Sequence, residues 1–430
     1  MTVAESVQTN EELLKEYYTN DQILNMTLPE GSLFGLIPKM ETFSGKTLPI
    51  PVRIASPQGG SASLSTAIAN KTTSKEVNFE LTRFKDYAVA SIDREAKMAS
   101  EVDGETGAWL DLAKVVIEGI LNTSTRSIAI SLFRDGTGIR GQISSSSNTG
   151  TATITLADPH DVQNFELQMY VQTVSARTGG TPRTGHAQII GIDRDAGTLT
   201  VGVSNTETPA NWSTLITSCA ANDYICRDGD YGEVSPGLQS WLVPPSLRPT
   251  APGQDDFFQQ DRYSDMTRTM GVYHDGTNQP IEEAMIDLEG KCAVQNARIT
   301  HMFMNNVQYR QLLKALQGKV VYTNITETAQ SAEGPVAEVS FAGIEFQGVG
   351  GRVKVFADFN CPSMKLFALT LSTWMLYSLG PAPHIFDEGS DQKWLRSAND
   401  DTYEIRCGAY YVLGCRGAGF NGQADLATAA

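Results

Sequence analysis

The stretch Trp109–Phe133 constrains the fold most, because its pattern predicts one amphipathic helix of unusual length. Apolar side chains recur there at the i, i+3, i+4 and i+7 spacing of a single helix face, namely Trp109, Leu112, Ala113, Val116, Ile117, Ile120 and Leu121. The pattern resumes at Ile128, so the helix either continues past Thr123–Ser124 or restarts there, and Gly136 ends it. A run of about 25 residues is twice the usual length in globular proteins, and its charged residues exclude a membrane span. We therefore interpret it as a spine around which the other elements are arranged.

Charge and composition limit the functions that the chain can have. Charged residues make up only 19% of its 430 residues, which suits either a surface buried against other copies or simply a β-rich protein of low charge. The formal net charge is −16 and no basic block occurs, which argues against a protein that reads nucleic acid, because phosphate binding needs clustered Lys and Arg. The acidity remains compatible with a protein that encloses nucleic acid without binding it tightly, because the negative protein surface repels the phosphates.

Targeting and redox features indicate a protein made in a reducing compartment. The N-terminus lacks a basic n-region and an apolar h-region, so we expect no secretion. The six cysteines show neither a CxxC pair nor a histidine at metal-ligand spacing: Cys219, Cys226, Cys292, Cys361, Cys407 and Cys415. We predict reduced thiols in the core, with a disulfide between Cys219 and Cys226 as the alternative.

The first 40 residues predict a polar arm followed by a short strand. Residues 1–30 are polar, with a partly helical pattern and no core of their own. Such an arm becomes ordered only when it lies on a neighbouring surface. The segment Gly31–Met40 is apolar and predicts a short first strand.

Two alternating segments, Thr47–Ile54 and Glu76–Ile92, predict a long β-hairpin of half-buried strands. Pro49 and Pro51 cannot donate to a central ladder, so the first strand should lie at an exposed edge. Between the strands, Ala55–Ser74 supplies about 20 mostly small and hydroxyl-bearing residues, and loops of that length are usually functional or disordered. We interpret the segment as the tip of a projecting arm that needs a partner surface, and a mobile surface flap is the alternative.

Residues 141–228 differ abruptly in composition, being rich in Thr, Ser, Gly and Val with few helix signals. Turn residues separate the candidate strands Thr151–Leu156, Asn164–Thr173, Ala187–Asp193, Thr198–Ser204, Ser213–Ser218 and Tyr224–Arg227. Short strands at this spacing predict a small antiparallel β-barrel or sandwich inserted into the parent fold. Asp193–Gly197 begins like a calcium loop, but Ser204 falls where the bidentate Glu belongs, so we favour a hairpin turn.

The chain after residue 229 returns to a mixed pattern of helices and strands. Pro280 begins a helix predicted over Gln279–Asn296, and Asn305 caps a second helix over Asn305–Gly318. The predicted strands are Val339–Phe346, Arg352–Asp358, Leu366–Leu371 and a final pair over Tyr403–Arg416. We class the whole chain as α+β.

The sequence predicts no catalytic, cofactor-binding or metal-ligating residues. The five histidines never fall at i, i+3 or i+4 from one another, and HExxH and paired CxxC motifs are absent. Gly348–Arg352 precedes a strand and lacks the lysine of a phosphate loop, so we interpret it as a turn. No GxSxG elbow occurs, and Gly59–Ser61 lies in the arm without a nearby histidine. We therefore expect a protein that is not an enzyme.

The order of these parts resembles the major capsid proteins of tailed phages, which have the Hong Kong 97-type fold. The motifs that carry the resemblance are, in chain order, REAKMAS, SIAISLFRDGTGIRGQI, GLQSWLVP, GTNQPIEEAMIDLEG, FMNNVQYRQLLKAL and DDTYEIRCGAYYVLGCRGAG. Each motif is moderately specific, and their order carries the resemblance across most of the chain outside residues 141–228. Some members of the family have a β-rich insert at the corresponding place.

The resemblance implies a division of the chain into five parts. These are an N-terminal arm (1–30), a peripheral domain with the spine helix (31–46, 88–140 and 396–430), an extended loop (47–87), an insertion domain (141–228) and an axial domain (229–395). It also implies that the loop tip contacts a neighbouring subunit, through Gly59, Gly60, Ser61, Leu64, Ile68, Asn70 and Lys71. The core of the spine helix would consist of Trp109, Leu112, Val116, Ile117 and Ile120, packed beneath Tyr403–Arg416.

The function that the resemblance implies is that of a shell protein, which assembles into hexamers and pentamers of an icosahedral phage head around double-stranded DNA. Its partners would be further copies of itself, a portal protein and, where present, scaffolding or decoration proteins, with assembly in the host cytoplasm and no membrane. The type member joins its subunits by a Lys–Asn bond, for which Lys71 or Lys75 and Asn421 are candidates. An encapsulin-like nanocompartment shell is the alternative, and a hydrolase with a β-rich accessory domain has only the size of the chain in its favour.

Overall fold

The computed structural model describes residues 32–94, 112–203, 208–316, 323–331, 334–386, 394–396 and 401–427. Its α-helices are α1 (Ser32–Leu36), α2 (Leu64–Ala69), α3 (Leu112–Phe133), α4 (Trp212–Leu215), α5 (Leu238–Trp241), α6 (Met266–Met270), α7 (Ile281–Val294) and α8 (Asn306–Ala315). Its strands are β1 (Lys39–Met40), β2 (Thr47–Ala55), β3 (Lys75–Thr82), β4 (Phe84–Asp93), β5 (Ile139–Gln142), β6 (Thr153–Thr155), β7 (Tyr170–Val174), β8 (Ala187–Asp193), β9 (Thr198–Gly202), β10 (Tyr224–Arg227), β11 (Val272–Gly276), β12 (His301–Met304), β13 (Thr323–Ser331), β14 (Gly334–Gly348), β15 (Gly351–Ala357), β16 (Lys365–Leu369), β17 (Trp374–Ser378), β18 (His384–Ile385), β19 (Trp394–Arg396), β20 (Thr402–Cys415) and β21 (Gly422–Leu426). Helices combined with several sheets confirm a mixed α/β fold, and the predicted arm over residues 1–30 lies outside the described residues.

The chain divides into two compact units. The described residues of the first unit lie within Lys85–Ile128 and Leu379–Tyr410, and those of the second lie within Gly31–Phe84, Ala129–Ser378 and Tyr411–Ala430. The first unit is a sheet built on the N-terminal part of β20, with which β4, β18 and β19 pair. One helix, α3, covers the sheet through Val116, Ile117, Ile120 and Leu121, which pack on Ala88, Ala90, Ile405 and Cys407. The prediction that the long helix packs beneath the strand near the C-terminus is therefore confirmed.

The long helix is continuous, which decides between the two alternatives that its sequence left open. Helix α3 runs without a break from Leu112 to Phe133, and Trp109–Asp111 lie outside the described residues. The Thr123 hydroxyl donates to the Gly119 carbonyl at 3.0 Å, so this polar side chain is satisfied within the helix. The Ser124 hydroxyl donates at 3.4 Å to the buried carboxylate of Asp86 on β4, which ties the helix to its sheet.

The larger sheet of the second unit has seven strands in the order β11-β21-β16-β12-β15-β14-β13. Helices α7 and α8 pack on one face of it, and the side chains they bury there include Ala284, Met285, Leu288, Cys292 and Leu312. As predicted, α7 begins after Pro280, and the Asn305 side chain caps α8 by accepting from the Val307 N–H at 3.0 Å. Strand β21 lies between β11 and β16, so the last described residues complete this sheet.

A second sheet lies entirely within residues 139–227, with the strand order β5-β10-β7-β8-β9-β6. All its strand pairs are antiparallel, as predicted for this part of the chain. The outer strands β5 and β6 also meet, because Ser144 donates to the Thr155 carbonyl at 3.0 Å and Ala157 donates to the Gln142 carbonyl at 2.8 Å. The sheet encloses a separate apolar core, whose largest side chains are Trp212 and Phe165.

Two predictions near the start of the described chain are wrong. The segment Gly31–Met40 forms helix α1 before the two-residue β1, because the Leu33 N–H, in the first turn, is capped by the carboxylate of Asp358 at 2.9 Å. The hairpin strand predicted over Glu76–Ile92 is interrupted at Arg83. Its guanidinium donates to the Phe43 carbonyl at 2.5 Å and lies 4.7 Å from the centre of the Phe43 ring, and the chain then enters β4 in another sheet.

Two strand predictions within residues 141–228 are also wrong. Asn164–Thr173 is extended only from Tyr170, because Asp158 caps a 3-10 turn over Pro159–Asn164. Ser213–Ser218 is replaced by the short helix α4, whose first side chain, Trp212, is buried.

The prediction of a final pair of strands over Tyr403–Arg416 is wrong as well, because this segment forms one continuous strand, β20. Gly408 is present for close packing and not for a turn, because a Cβ there would lie 2.6 Å from the Phe386 ring.

Candidate functional site

The hairpin of β2 and β3 is the candidate site, and its base is fixed to the second unit by alternate side chains. Within the described part of the chain the two strands form a two-stranded sheet, from Thr47 opposite Thr82 to Ala55 opposite Lys75. One face is buried through Ile50, Ile54, Val77, Phe79 and Leu81. Pro49 and Pro51 are exposed on the other face, which confirms the predicted alternation and the edge position of β2.

An aromatic cluster anchors the base of the hairpin. The Phe79 ring lies 5.1 Å from Trp241 and 6.4 Å from Phe257, and Trp241 lies 5.9 Å from Phe258. The Glu80 N–H donates to the Phe258 carbonyl at 3.1 Å, so the backbone of β3 is held as well as its side chains. Sequence reasoning missed this anchor, because the segment that supplies both phenylalanines is polar and contains proline.

The anchoring turn has a strained backbone. Phe257 and Gln260 exchange two backbone hydrogen bonds of 3.1 Å, and the two residues between them, Phe258 and Gln259, have φ values of 50° and 62°. Residues other than glycine adopt this left-handed conformation at a cost of about 1 kcal/mol each. The packing of the Phe258 ring against Trp241 offsets that cost, so the turn depends on the aromatic cluster.

The tip of the hairpin is an ordered loop that has no core. The Gln58 N–H donates to the Thr72 hydroxyl at 2.7 Å, and a Cβ on Gly59 would lie only 2.9 Å from the Lys71 Cα, so the two sides of the tip are in contact. Between them lies α2, which has no buried residue. Leu64 and Ile68, four positions apart on this helix, are 76% and 57% exposed.

The tip is also cationic, unlike the chain as a whole. Lys71 and Lys75 are the charged residues of the segment 55–75, whereas the complete chain has a net charge of −16. At the base of the tip, Arg53 and Glu76 form an ion pair at 2.9 Å across the two strands. Both partners are mostly exposed, so this pair adds little stability. The tip therefore presents apolar side chains and positive charge together on a projecting segment.

The predicted site residues fall in two groups. At the tip, Gly60, Ser61, Leu64, Ile68, Asn70 and Lys71 are exposed and Gly59 is half-buried. On α3, Ile120 is buried, and Val116 and Ile117 are half-buried against β20 and β4. Trp109 and the side chain of Leu112 lie outside the described part. The hairpin tip is thus free to contact another molecule, and such a contact stays a prediction.

Asn421, a candidate for a covalent Lys–Asn bond, is fully buried. Its Oδ1 accepts from the Thr370 N–H at 2.7 Å and from the Trp374 indole at 2.8 Å. Its Nδ2 donates to the Thr373 hydroxyl at 3.0 Å and to the Gly417 carbonyl at 2.8 Å. A side chain with all of these bonds has no amide group left exposed for a neighbour, so the structure assigns Asn421 a role inside its own subunit.

The six cysteines are free and buried, as predicted, and the alternative disulfide between Cys219 and Cys226 is absent. Burial raises the pKa of Cys219 to about 11 and that of Cys226 to about 12. Both thiols are therefore protonated at neutral pH and unreactive.

The two loops whose sequences resemble ligand-binding loops are turns. Asp193–Gly197 joins β8 to β9, with the Asp193 carboxylate accepting from the N–H groups of Asp195 and Ala196 at 3.0 and 2.9 Å. The Gly348–Arg352 turn is held by the buried carboxylate of Glu289, which accepts from Val349 and Gly350 at 3.0 and 2.8 Å. Within the described ranges, no group of three or more His, Cys, Asp or Glu side chains could hold a metal ion. No helix in the same ranges is long and apolar enough to cross a membrane.

Comparisons with known proteins bear on the fold. No protein-family model matches the chain, and no curated protein matches its sequence. Among solved structures, a chain of the cyanophage A-1(L) capsid matches with a TM-score of 0.54 at 13% identity, covering 98% of this chain and 100% of that one. A capsid chain of the native GTA particle matches with a TM-score of 0.48 at 8% identity, covering 96% and 94%. A chain of Mycobacterium phage Bobi matches with a TM-score of 0.45 at 10% identity, covering 98% and 99%.

The cyanophage match carries the assignment of the fold, because it has the highest score of the three and spans both chains nearly completely. The mixed α/β arrangement of helices and sheets is thus a known one. The chain has the fold of the cyanophage A-1(L) capsid protein.

Proposed function

We propose that this chain is the major capsid protein of a tailed bacteriophage, a structural and non-enzymatic subunit that assembles into the hexamers and pentamers of an icosahedral head around double-stranded DNA. The observation that supports this most is the match to the cyanophage capsid chain over 98% of this chain and all of the other. The subunit would be located in the virion, after assembly in the host cytoplasm. Its partners would be further copies, a portal protein and, where present, scaffolding or decoration proteins.

In this proposal the chain has the Hong Kong 97-type arrangement of parts. The hairpin is the extended loop within residues 47–87, α3 is the spine of the peripheral domain, and the seven-stranded sheet with α7 and α8 belongs to the axial domain. Residues 141–228 would be a small inserted barrel. The hydrogen bonds that join the outer strands β5 and β6 support a closed barrel rather than a sandwich.

The exposed tip supports contact between subunits by overlap. Leu64 and Ile68 leave most of their apolar surface in water, and burial of a side chain of this size stabilises an interface by about 1.5–3 kcal/mol. A closed shell repeats every such contact many times, so modest individual contacts suffice. The net charge of −16 suits an inner wall that confines DNA without binding it tightly.

Electron microscopy of the purified protein tests the proposal. We expect closed particles of uniform size in negative stain, and nuclease-protected double-stranded DNA in particles from infected cells. Particles that carry enzymes in place of DNA would favour an encapsulin-like compartment. A protein that stays monomeric under all assembly conditions would contradict a shell role of either kind.

A further inference from the structure

The outward face of helix α7 has a depression between two exposed apolar side chains. Ile286 and Val294, eight positions apart and therefore about 12 Å apart along the helix, are 56% and 82% exposed. Midway between them is Gly290, where an added Cβ would meet no atom within 4 Å. Most of the opposite face of α7 is packed on the sheet, whereas Ile286 and Val294 lie outside the apolar core that this packing forms.

Acidic side chains border this face. Glu283 and Asp287 are exposed on the first half of α7, each within four positions of Ile286. The Asp287 Oδ2 accepts a hydrogen bond from the Gln279 amide at 3.1 Å and lies 3.8 Å from His274 Nε2, and the Asp287 side chain remains 49% exposed. Lys291 is the neighbouring cation, but its ammonium donates to His274 Nδ1 at 2.9 Å and is directed to β11. The border of the depression is therefore anionic.

The hairpin tip matches this face in spacing and in charge. Leu64 and Ile68 are four positions apart on α2, about 6 Å along the helix, the same spacing that separates Ile286 from Gly290 and Gly290 from Val294. Lys71 follows Ile68 after three positions, just beyond the end of α2, and supplies a positive charge next to the apolar pair. The tip thus presents two apolar side chains next to a lysine, and the outward face of α7 presents two apolar side chains next to two carboxylates.

We propose that the hairpin tip of one copy binds the outward face of α7 in a second copy. The two segments run antiparallel: Ile68 enters the depression at Gly290, Leu64 packs on Val294, and Lys71 pairs with Asp287 or Glu283. The inference rests on the proposed shell function and adds to it the surface that receives the tip. Because tip and receiving face are different surfaces, the contact joins copies head to tail, which permits closed rings.

Charge argues against the other occupant that the same chain could supply. The first 30 residues contain the acidic side chains Glu5, Glu11, Glu12, Glu16, Asp21 and Glu30 against the single cation Lys15. A segment with that balance would be repelled by an anionic border. The tip, with Lys71 and Lys75 and no carboxylate in residues 55–75, is the complementary segment.

Disulfide trapping in assembled particles tests the contact. The variant Ile68→Cys with Gly290→Cys is assembled, oxidised mildly and run on a non-reducing gel. Its six native cysteines are buried and should stay unreactive. We expect a ladder of covalent oligomers that collapses to the monomer on reduction. The matched control, Ile68→Cys with Leu167→Cys, places the second thiol at an exposed apolar position outside α7 and should remain monomeric.

Charge reversal supplies a second, independent test. Lys71→Glu should lower the yield of closed particles at least tenfold, and adding Glu283→Lys with Asp287→Lys should restore most of it. The α7 contact would be wrong if the cysteine variant formed closed particles without cross-links and the added lysines failed to restore the particle yield of Lys71→Glu. The proposed shell function would not be affected by that result. Wild-type protein that forms no particles would overturn the shell function, and the inference with it.

Discussion

Asn421 shows how one buried amide can join two segments of the chain. It lies just before β21, and its hydrogen bonds reach Thr370, Thr373 and Trp374 on one side and Gly417 on the other. The carbonyl oxygen accepts twice and the amino group donates to two oxygen acceptors, so only an amide matches the site. A carboxylate of the same shape could accept but could not donate, and it would be charged in a fully buried place.

We therefore predict that Asn421→Asp destabilises the subunit by about 3 kcal/mol, because two donors are lost and a charge is buried. Urea unfolding at neutral pH, followed by tryptophan fluorescence, measures the change. Asn78→Asp, at an exposed position of β3, is the control and should change the stability by less than about 0.5 kcal/mol. Equal midpoints for the two variants would contradict the structural role of Asn421.

Among the secondary-structure elements, α3 makes the sharpest prediction because its two faces differ so clearly. Ile120 is buried against β20 and β4, whereas Val115 on the same helix is exposed. We predict that Ile120→Asp prevents folding of the first unit, since an unpaired buried carboxylate costs several kcal/mol. Val115→Asp introduces the same side chain into solvent and should fold normally. Circular dichroism and solubility measurements compare the folding of the two variants. Soluble, native-like protein from Ile120→Asp would contradict the position of this helix in the structure.

Elements with local signals could be predicted from the sequence, and elements that depend on distant residues could not. The local signals are the apolar periodicity of α3, the proline before α7 and the Asn305 cap of α8. The strands observed at Ala187–Asp193 and Tyr224–Arg227 begin and end at the predicted residues. Helix α1 depends on Asp358, which is 325 positions away in the chain, so nothing near Leu33 could indicate it. Strands β11, β12, β17 and β21 were missed for a similar reason, since their partners come from remote parts of the chain.

The candidate site could be predicted in outline only. Paired alternation and a long segment of small residues indicated a projecting hairpin, and its tip is indeed exposed. Neither the helix α2 within the tip nor the Phe257–Phe258 anchor was predicted, because six residues give little periodicity and the anchor is formed by packing. The outward face of α7 was also not predicted, since the apolar periodicity of this helix indicates only its buried face.

At the scale of the whole molecule, the residues that form the core differ from the residues that we propose for assembly. The core of the second unit is formed by the two sheets and their covering side chains, and the tip of the hairpin contributes no buried side chain to it. The surface that would join copies can therefore be removed without opening the core. Such a separation lets a subunit fold before it meets its neighbours, and it makes assembly testable apart from stability.

We predict that deleting Gly59–Thr73 leaves a folded subunit that fails to form closed shells. The strands below the deletion keep Ile50, Ile54, Val77 and Phe79 in the core, so thermal unfolding should stay close to that of the intact chain. Sedimentation and negative stain should show free subunits or open fragments, because the apolar and cationic tip is gone. A Gly-Ser segment of equal length in place of the tip is the control for loop length and should fail in the same way. Normal particles from either variant would contradict assembly by overlap of the tip.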